Sequence, residues 1–292
     1  GTELLLSSKP YSAVVFDDFV EVKMDGPNGD ETIHCKLLCG ADGAHSWVRR
    51  NFRMGNPRET MIGFQIEVTG YNGDSGMLDM YTGKNIAPGF FSWAIPTGDT
   101  TRVGTWTKSE LMNGLSSEQY LDRLLQDQKV NSRFEQCSEV ARFCGPVPSG
   151  VVRKPLIERV ALFGDSAGVC KPTTGGGIGP GFKQVDLLVP RLSKCMENNE
   201  LSRGTMKSIS ALLKEMARNQ RKKRALRDAF LTEMSDYELE KIFDVWARPE
   251  VTDLINEFGD IENPIPLGIK MLREVPEFRR LAGRAAKAVL WG

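Results

Sequence analysis

The sequence has few histidines and cysteines, the residues that usually hold zinc ions. It has two histidines and six cysteines in 292 residues, and the cysteines form no Cys-x-x-Cys pair. Structural zinc sites need clustered thiolates or imidazoles, so we expect no zinc site. The simplest interpretation of the cysteines is that they are free thiols of a protein in the reducing cytosol.

Long apolar runs and an excess of one charge are also missing. No stretch approaches the roughly 18 uninterrupted apolar residues of a membrane-spanning helix. Lysine and arginine together number 38, as do aspartate and glutamate, so the net charge is zero. A balanced charge gives no electrostatic reason to bind nucleic acid, and we do not expect that partner.

The hydrophobic pattern changes along the chain. Short segments rich in β-branched residues, such as "YSAVVF" and "FVEVKM", fill the first 110 residues and are broken by turns such as "DGPNGD". Apolar residues at three-and-four spacing then predict helices, and Ser235 with Glu238 has the spacing of a capping box. These helices are predicted over 116–130, 182–198, 205–231, 235–246 and 276–291. Strands followed by a glycine-rich turn and helices indicate an α/β or α+β body.

Two loops follow predicted strands and carry polar residues. In "KLLCGADGAHSWVRR", Asp42 can accept hydrogen bonds from a ligand or from its own turn, and Gly43 permits a tight turn. In "RVALFGDSAGVCKPTTGGGI", Asp165 follows Gly164 at the carboxyl end of a strand, where ligands of open α/β sheets bind. A plain turn remains the alternative for the first loop, and a ligand-free connector for the second.

The second loop leads through three glycines into a predicted helix. Exposed N–H groups at a helix start favour an electron-rich partner, which includes a pyrophosphate, a carbonyl or an anionic ring. Neither loop matches the GxGxxG or GxxxxGK[ST] phosphate-binding patterns. The residues alone therefore predict a ligand loop without identifying its ligand.

Together, "GADGAHSWVRR" and "GDSAGVCKPTTGGGI" resemble two flavin fingerprints of the flavoproteins that include para-hydroxybenzoate hydroxylase. Gly168 and "PTTGGGI" resemble the geranylgeranyl reductases of that group, whereas its hydroxylases usually have histidine at the position of Gly168. "FSWAIP" with Gly104 is similar to the reductase pattern Y-x-W-x-F-P…G-x-G. The sequence departs from that pattern at Phe91, Ile95 and Trp106, which leaves the shape of the substrate pocket open.

The resemblance implies FAD as the cofactor and a two-layer FAD-binding fold with an antiparallel substrate sheet and a helical C-terminal region. It implies that Asp165 binds hydroxyl groups of FAD and that the glycine loop passes the isoalloxazine ring. The implied cofactor-binding residues are Asp42, Gly43, Gly164, Asp165, Pro172, Gly175, Gly176, Gly177 and Ile178. The implied substrate-binding residues are Phe91, Trp93, Ile95 and Trp106, with Phe90 beside them. No catalytic residue is implied, and Cys170 is interpreted as a packing residue.

The implied activity is reduction of geranylgeranyl double bonds in an isoprenoid lipid, with NADPH or ferredoxin as electron donor. An aromatic monooxygenase of the same fold is the alternative. An electron-transfer dehydrogenase is disfavoured because no four-cysteine cluster ligand set is present. An inert folding unit also stays open. The expected location is cytoplasmic, and the basic run 218–224 is either a solvated helix face or a peripheral membrane contact.

The resemblance also implies how the chain is divided. The expected regions are part of the FAD-binding domain, a substrate sheet, the flavin loop with its helix, and the helical region, over 1–50, 51–150, 151–200 and 201–292. The family begins with a strand and GxGxxG, which this sequence does not contain. We therefore expect that about 100 family residues precede the region represented here, and that FAD binding by this chain alone is incomplete.

Overall fold

The computed structural model of the chain describes residues 1–260, 265–279 and 283. They group into two units, each built from two segments. The first unit combines 1–60 with 147–220, and the second combines 61–146 with the described residues from 221 onward. The four-region division expected from the sequence stays a prediction.

Eleven strands and nine helices occur in the described residues. The strands are β1 Lys9–Val15, β2 Val20–Gly26, β3 Gly29–Cys35, β4 Leu38–Gly40, β5 Glu59–Thr69, β6 Asp79–Tyr81, β7 Ser92–Pro96, β8 Thr101–Lys108, β9 Ser138–Ser149, β10 Leu156–Ile157 and β11 Val160–Leu162. The helices are α1 Trp47–Asn51, α2 Ser117–Leu125, α3 Ile178–Glu197, α4 Arg203–Ser210, α5 Lys214–Arg227, α6 Asp236–Trp246, α7 Pro249–Phe258, α8 Ile265–Glu274 and α9 Pro276–Arg279.

The first unit contains two small sheets. β1, β2 and β3 form an antiparallel sheet in which Gly26 pairs with Gly29, so "DGPNGD" makes the predicted tight turn. The second sheet has the order β10-β11-β4, and β11 and β4 are parallel. Leu162 of β11 is buried in one apolar cluster with Leu188 of α3 and Met206 of α4. This cluster supports the strand ends from which the two polar loops leave.

The second unit is built on a five-stranded sheet with the order β6-β7-β8-β5-β9. Helix α2 contributes Leu121 and Leu124 to the apolar cluster of that sheet. The predicted helix 116–130 begins as expected, with a capping box between Ser116 and Gln119, but ends at Leu125. Asp127 accepts a hydrogen bond from the backbone N–H of Lys129 at 2.9 Å, and such an Asp turn ends a helix.

The helices after residue 200 largely follow the predicted periodicity. Ser235 and Glu238 form the predicted capping box at the start of α6. The stretch predicted as helical over 205–231 is interrupted by a 3₁₀ turn at Ala211–Leu213 and ends in a π-helical turn at Asp228–Thr232. Of the predicted helix 276–291, α9 covers the start, and the rest lies outside the described residues except for 283.

The sequence raises three questions, about disulfides, metal-binding groups and membrane-spanning helices. All six cysteines are free thiols. Within the described part of the chain, no group of three or more acidic, cysteine or histidine side chains is arranged to hold a metal ion. No helix of that part is long and apolar enough to cross a bilayer.

Candidate functional site

The two polar loops leave neighbouring parallel strands. In the pairing of β4 with β11, Gly40 lies opposite Leu162, and the backbone N–H of Phe163 donates to the carbonyl of Gly40 at 2.9 Å. "GADG" follows β4 and "GDSAG" follows β11, so both loops start at the same edge of the sheet. That edge, at the carboxyl ends of parallel strands, is where open α/β sheets bind ligands.

Arg49 and Ser166 fasten the two loops together, and neither was among the predicted site residues. The Ser166 hydroxyl donates to the carbonyl of Gly40 at 2.5 Å. The Arg49 guanidinium donates to the carbonyls of Ser166 and Ala44 at 2.9 and 2.7 Å, one in each loop. Arg49 belongs to the "GADGAHSWVRR" segment, so the motif did include it. The sequence does not show, however, which groups the end of so long a side chain contacts.

Arg49 is itself an unusual buried cation. Only 7% of it is exposed, and burial lowers its pKa from the ordinary value, although the nearby Asp42 charge acts in the opposite direction. Its Nε atom is buried and has no hydrogen-bond partner among the described residues. Buried polar groups are nearly always paired, so this unpaired atom is an exception among the described residues.

Replacing Arg49 with methionine should lower the free energy of unfolding by about 2–4 kcal/mol. Methionine keeps an unbranched apolar chain but removes both charge-assisted hydrogen bonds to buried carbonyls, each typically worth more than a neutral one. Arg50 lies next to it and is exposed, so Arg50→Met is the matched control and should change stability by less than about 0.5 kcal/mol. Urea unfolding followed by circular dichroism measures both. Equal effects of the two substitutions would contradict the bridging role.

Asp42 and Gly43 shape the start of the first loop. One carboxylate oxygen of Asp42 accepts from the backbone N–H of Val48 at 3.0 Å and so supports the first turn of α1. Gly43 has φ +73°, in the left-handed region where glycine is favoured. Asp42 therefore serves its own turn, and any contact with a ligand remains a proposal that involves its exposed side.

Gly164 and Asp165 begin the second loop. The backbone N–H of Gly164 donates to the Gln184 side chain at 2.9 Å, and the Gln184 amide donates to the carbonyl of Leu162 at 2.9 Å. Gln184 is fully buried and joins α3 to the end of β11, a role that the sequence did not indicate. Asp165 is partly buried, and the Cys170 thiol donates to its Oδ1 atom at 3.0 Å.

The glycine run forms a cradle, by which we mean residues 172–178. The backbone N–H of Gly175 donates to the Lys171 carbonyl at 2.8 Å, and the Lys171 N–H donates to the Gly176 carbonyl at 3.0 Å. A Cβ atom on Gly177 would lie 3.0 Å from Oδ1 of Asp165 and 3.2 Å from Sγ of Cys170. Any side chain at position 177 would thus crowd the carboxylate.

The cradle ends where α3 begins. Gly177 is the N-cap of this 20-residue helix and supplies no side-chain acceptor to the first-turn N–H groups. The first helical residue, Ile178, is 78% exposed. An uncapped helix start carries a partial positive charge, which favours an electron-rich group. The exposed helix start and the Asp165 carboxylate therefore have the chemistry that suits a flavin, with its polar edge and hydroxylated side chain.

The predicted substrate residues lie in the second unit and share one face of its sheet. Phe91, Trp93 and Ile95 alternate along the β7 region, and the backbone N–H of Trp106 on β8 donates to the Phe91 carbonyl at 3.1 Å. Ring centroids are 6.1 Å apart for Phe91 and Trp93 and 5.6 Å apart for Trp93 and Trp106. Buried Phe90 stacks on both Phe91 and Trp106.

Members of this aromatic face differ in what they offer a ligand. Trp93 is buried, and its indole N–H donates to the Gln65 side chain at 3.3 Å. A Cβ atom on Gly104 would lie 2.4 Å from the Trp93 ring, so glycine is required there for the indole to cover β8. Phe91, Trp106 and Ile95 are partly exposed and carry the accessible part of the face.

A largely buried group of charges contacts the ring of Phe90. The Asp228 carboxylate bonds the Arg227 guanidinium at 2.7 Å and the Lys108 ammonium at 3.1 Å. The Arg227 guanidinium also lies over the Phe90 ring, 5.3 Å from its centroid. The sequence offered only an ordinary-looking Arg-Asp pair within a helical stretch. Lys108, the second partner of Asp228, is 120 residues away in the sequence, so only the fold reveals the cluster.

Comparison with known proteins places these features in context. The family described as FAD binding domain matches residues 17–202. The digeranylgeranylglycerophospholipid reductase of Methanocaldococcus jannaschii is 25% identical over 230 residues, which cover 77% of this chain and 58% of that protein. A geranylgeranyl bacteriochlorophyll reductase-like protein of Thermoplasma acidophilum has the same fold, with TM-score 0.79 and 20% identity over 95% of this chain and 69% of its own.

A hydroxylase shares the fold less closely. The anhydrotetracycline hydroxylase OxyS of Streptomyces rimosus superposes with TM-score 0.58 and 18% identity, over 86% of this chain and 51% of its own. The chain spans about six tenths of the length of the methanogen reductase it matches.

Proposed function

The chain belongs to the family of FAD-binding domains, and on that premise we propose that it serves FAD-dependent reduction of isoprenoid double bonds. The proposed substrate is a geranylgeranyl chain of a lipid or lipid precursor. The relative named digeranylgeranylglycerophospholipid reductase supports this substrate class, because the similarity covers 77% of this chain. The family match and the α/β fold with antiparallel sheets and C-terminal helices confirm FAD as cofactor and the expected fold class.

One observation carries the proposal. The "GADG" and "GDSAG" loops, 120 residues apart in sequence, leave paired parallel strands, and the second loop leads directly into the cradle. In this arrangement we assign hydroxyl groups of FAD to Asp165 and the polar edge of the flavin ring to the end of the cradle, where the first N–H groups of α3 lie. Asp42, Gly43, Gly164, Pro172 and Ile178 complete the proposed binding surface.

FAD, when bound and reduced, supplies the hydride for reduction of an alkene. The chain's own residues would then bind and orient. N–H groups at the start of α3 would stabilise negative charge on the cofactor, as fixed dipoles do in oxyanion holes. The aromatic face would contribute apolar contact through Phe91, Trp106 and Ile95, because an isoprenoid chain offers no group for hydrogen bonding. Trp93 would support this surface from beneath.

The proposal is tested with the full-length protein, FAD, dithionite as reductant and geranylgeranyl diphosphate. Flavin absorbance that stays with the protein through gel filtration reports binding, and mass spectrometry detects the addition of two hydrogens per reduced double bond. Asp165→Ala should weaken FAD binding, whereas Asp186→Ala, at an exposed position of α3, should not. Bound FAD without any hydrogenated product would sink the reductase assignment.

An aromatic monooxygenase is the second candidate, because the hydroxylase OxyS shares the fold. It predicts that NADPH oxidation in air is stimulated by an aromatic compound and gives a hydroxylated product. The reductase predicts neither result, so the two activities separate in one set of assays.

The electron donor and the membrane contact are also proposals. Either NADPH or ferredoxin would reduce the flavin, and anaerobic bleaching of flavin absorbance with each one distinguishes them. Arg218 and Arg221 of the basic run are exposed on α5, as a peripheral contact with an anionic membrane surface would need. Sedimentation with anionic vesicles, compared with neutral ones, tests that contact.

A further inference from the structure

The thiol of Cys170 lies against the carboxylate that we assign to FAD hydroxyl groups. We infer that Cys170 is a positioning residue: its S–H group holds Oδ1 of Asp165 and thereby directs Oδ2 toward the hydroxylated chain of FAD. The inference rests on the proposed FAD contact of Asp165. It assigns this thiol a role other than catalysis or plain packing.

The geometry around the pair is closely defined. Sγ of Cys170 is 3.0 Å from Oδ1 of Asp165, and Cys170 is 1% exposed. Its carbonyl accepts hydrogen bonds from Ser149 Oγ and Gln220 Nε2, both at 3.0 Å. With the backbone fixed on one side and Gly177 packed against both side chains, the thiol has little freedom to turn away from the carboxylate.

The protonation state of the Cys170 thiol agrees with donation from its sulfur to the carboxylate. Burial raises the pKa of the Cys170 thiol, and the hydrogen bond to Asp165 raises it further. The sulfur therefore keeps its proton at neutral pH and can donate it in this hydrogen bond. A reactive cysteine needs the opposite environment, exposed and electropositive, so nucleophilic chemistry does not fit.

The orientation of the Asp165 carboxylate before the ligand arrives affects the free energy of binding. An aspartate free to rotate must be ordered when a ligand hydroxyl arrives, and holding one oxygen in advance removes part of that cost. Gly177 contributes by having no side chain to displace the pair.

The test compares Cys170→Ala with Cys170→Ser for flavin affinity. Alanine removes the donor, and loss of a hydrogen bond to a charged group should weaken FAD binding by about tenfold or more. Serine keeps a donor of similar size and should restore most of the affinity. Cys195→Ala, a half-buried thiol of α3 in the same unit, is the matched control and should leave affinity unchanged.

Two further measurements separate positioning from packing. Riboflavin has a hydroxylated side chain and lumiflavin lacks it, so Cys170→Ala should weaken FAD or riboflavin but leave lumiflavin affinity unchanged. Equal weakening of all three flavins, or none, would overturn the inference. The infrared S–H stretching band of Cys170 is identified as the band that is lost in Cys170→Ser. In the wild-type protein its frequency should be shifted as in a strong hydrogen bond. An unshifted band overturns the inference whether or not flavin binds, whereas bound FAD without any hydrogenated product refutes only the proposed function.

Discussion

Alanine at position 168 is expected to destabilise the first unit by about 2–5 kcal/mol. Gly168 has φ +74°, and a residue with a Cβ atom in that conformation costs about 1–2 kcal/mol. The new Cβ atom would also lie 2.6 Å from the Gly150 carbonyl oxygen and 3.3 Å from Cβ of Pro57. Relieving such overpacking typically costs a further 1–3 kcal/mol or so. Urea unfolding of the purified variant measures the sum.

Gly43→Ala separates the two contributions. Gly43 has nearly the same φ, +73°, and lies in the same unit, but a Cβ atom there would meet nothing within 4 Å. Its replacement should therefore cost only the conformational part, about 1–2 kcal/mol. If Gly168→Ala were no worse than Gly43→Ala, the contact with Gly150 would be unimportant.

The same geometry bears on how Gly168 is interpreted. From the sequence, glycine at this position favoured the reductases over the hydroxylases, which usually have histidine. In the fold, the backbone at 168 requires glycine for steric reasons of its own. We therefore expect Gly168→His to be at least as destabilising as Gly168→Ala.

Asp228→Ala should lower the free energy of unfolding of the second unit by about 3 kcal/mol. Arg227 and Lys108 have side chains that are 1% and 10% exposed, and the substitution removes the carboxylate that they share. Breaking a buried ion pair from one side typically costs about 3–5 kcal/mol. We expect the lower end because the Asp228 side chain is 26% exposed and partly solvated. Hydrogen exchange in β8 and α5 localises the effect.

A matched aspartate and a pH series test the charge itself. Asp244 is exposed on α6 in the same unit, and Asp244→Ala should change stability by less than about 0.5 kcal/mol. Burial alone would raise the pKa of Asp228, but the Arg227 and Lys108 charges outweigh it and hold the pKa below its ordinary value. The stabilisation is thus present above about pH 4 and lost as pH falls through the lowered pKa. A difference between wild type and Asp228→Ala that persisted unchanged in strong acid would contradict this.

Local features of the fold were predictable because they depend on neighbours in the chain. The hairpin at "DGPNGD" and the capping box of Ser235 with Glu238 arise from residues only three positions apart. The end of α2 was misplaced because the Asp127 turn competes with helix continuation, and periodicity does not measure that competition. The candidate cofactor loops were found because their strands and glycines are contiguous in sequence.

By itself, the sequence determined the two loops, the glycine cradle, the aromatic segment and the helical character after residue 200. Only the tertiary structure decided which side chains meet. Pairing of β4 with β11 brings the loops to one edge, and folding brings Lys108 to Asp228. The roles of Arg49, Gln184 and the Cys170–Asp165 pair also emerged there. The physical reason is that hydrogen bonds and burial depend on distances in space, whereas sequence patterns report only conformations of adjacent residues.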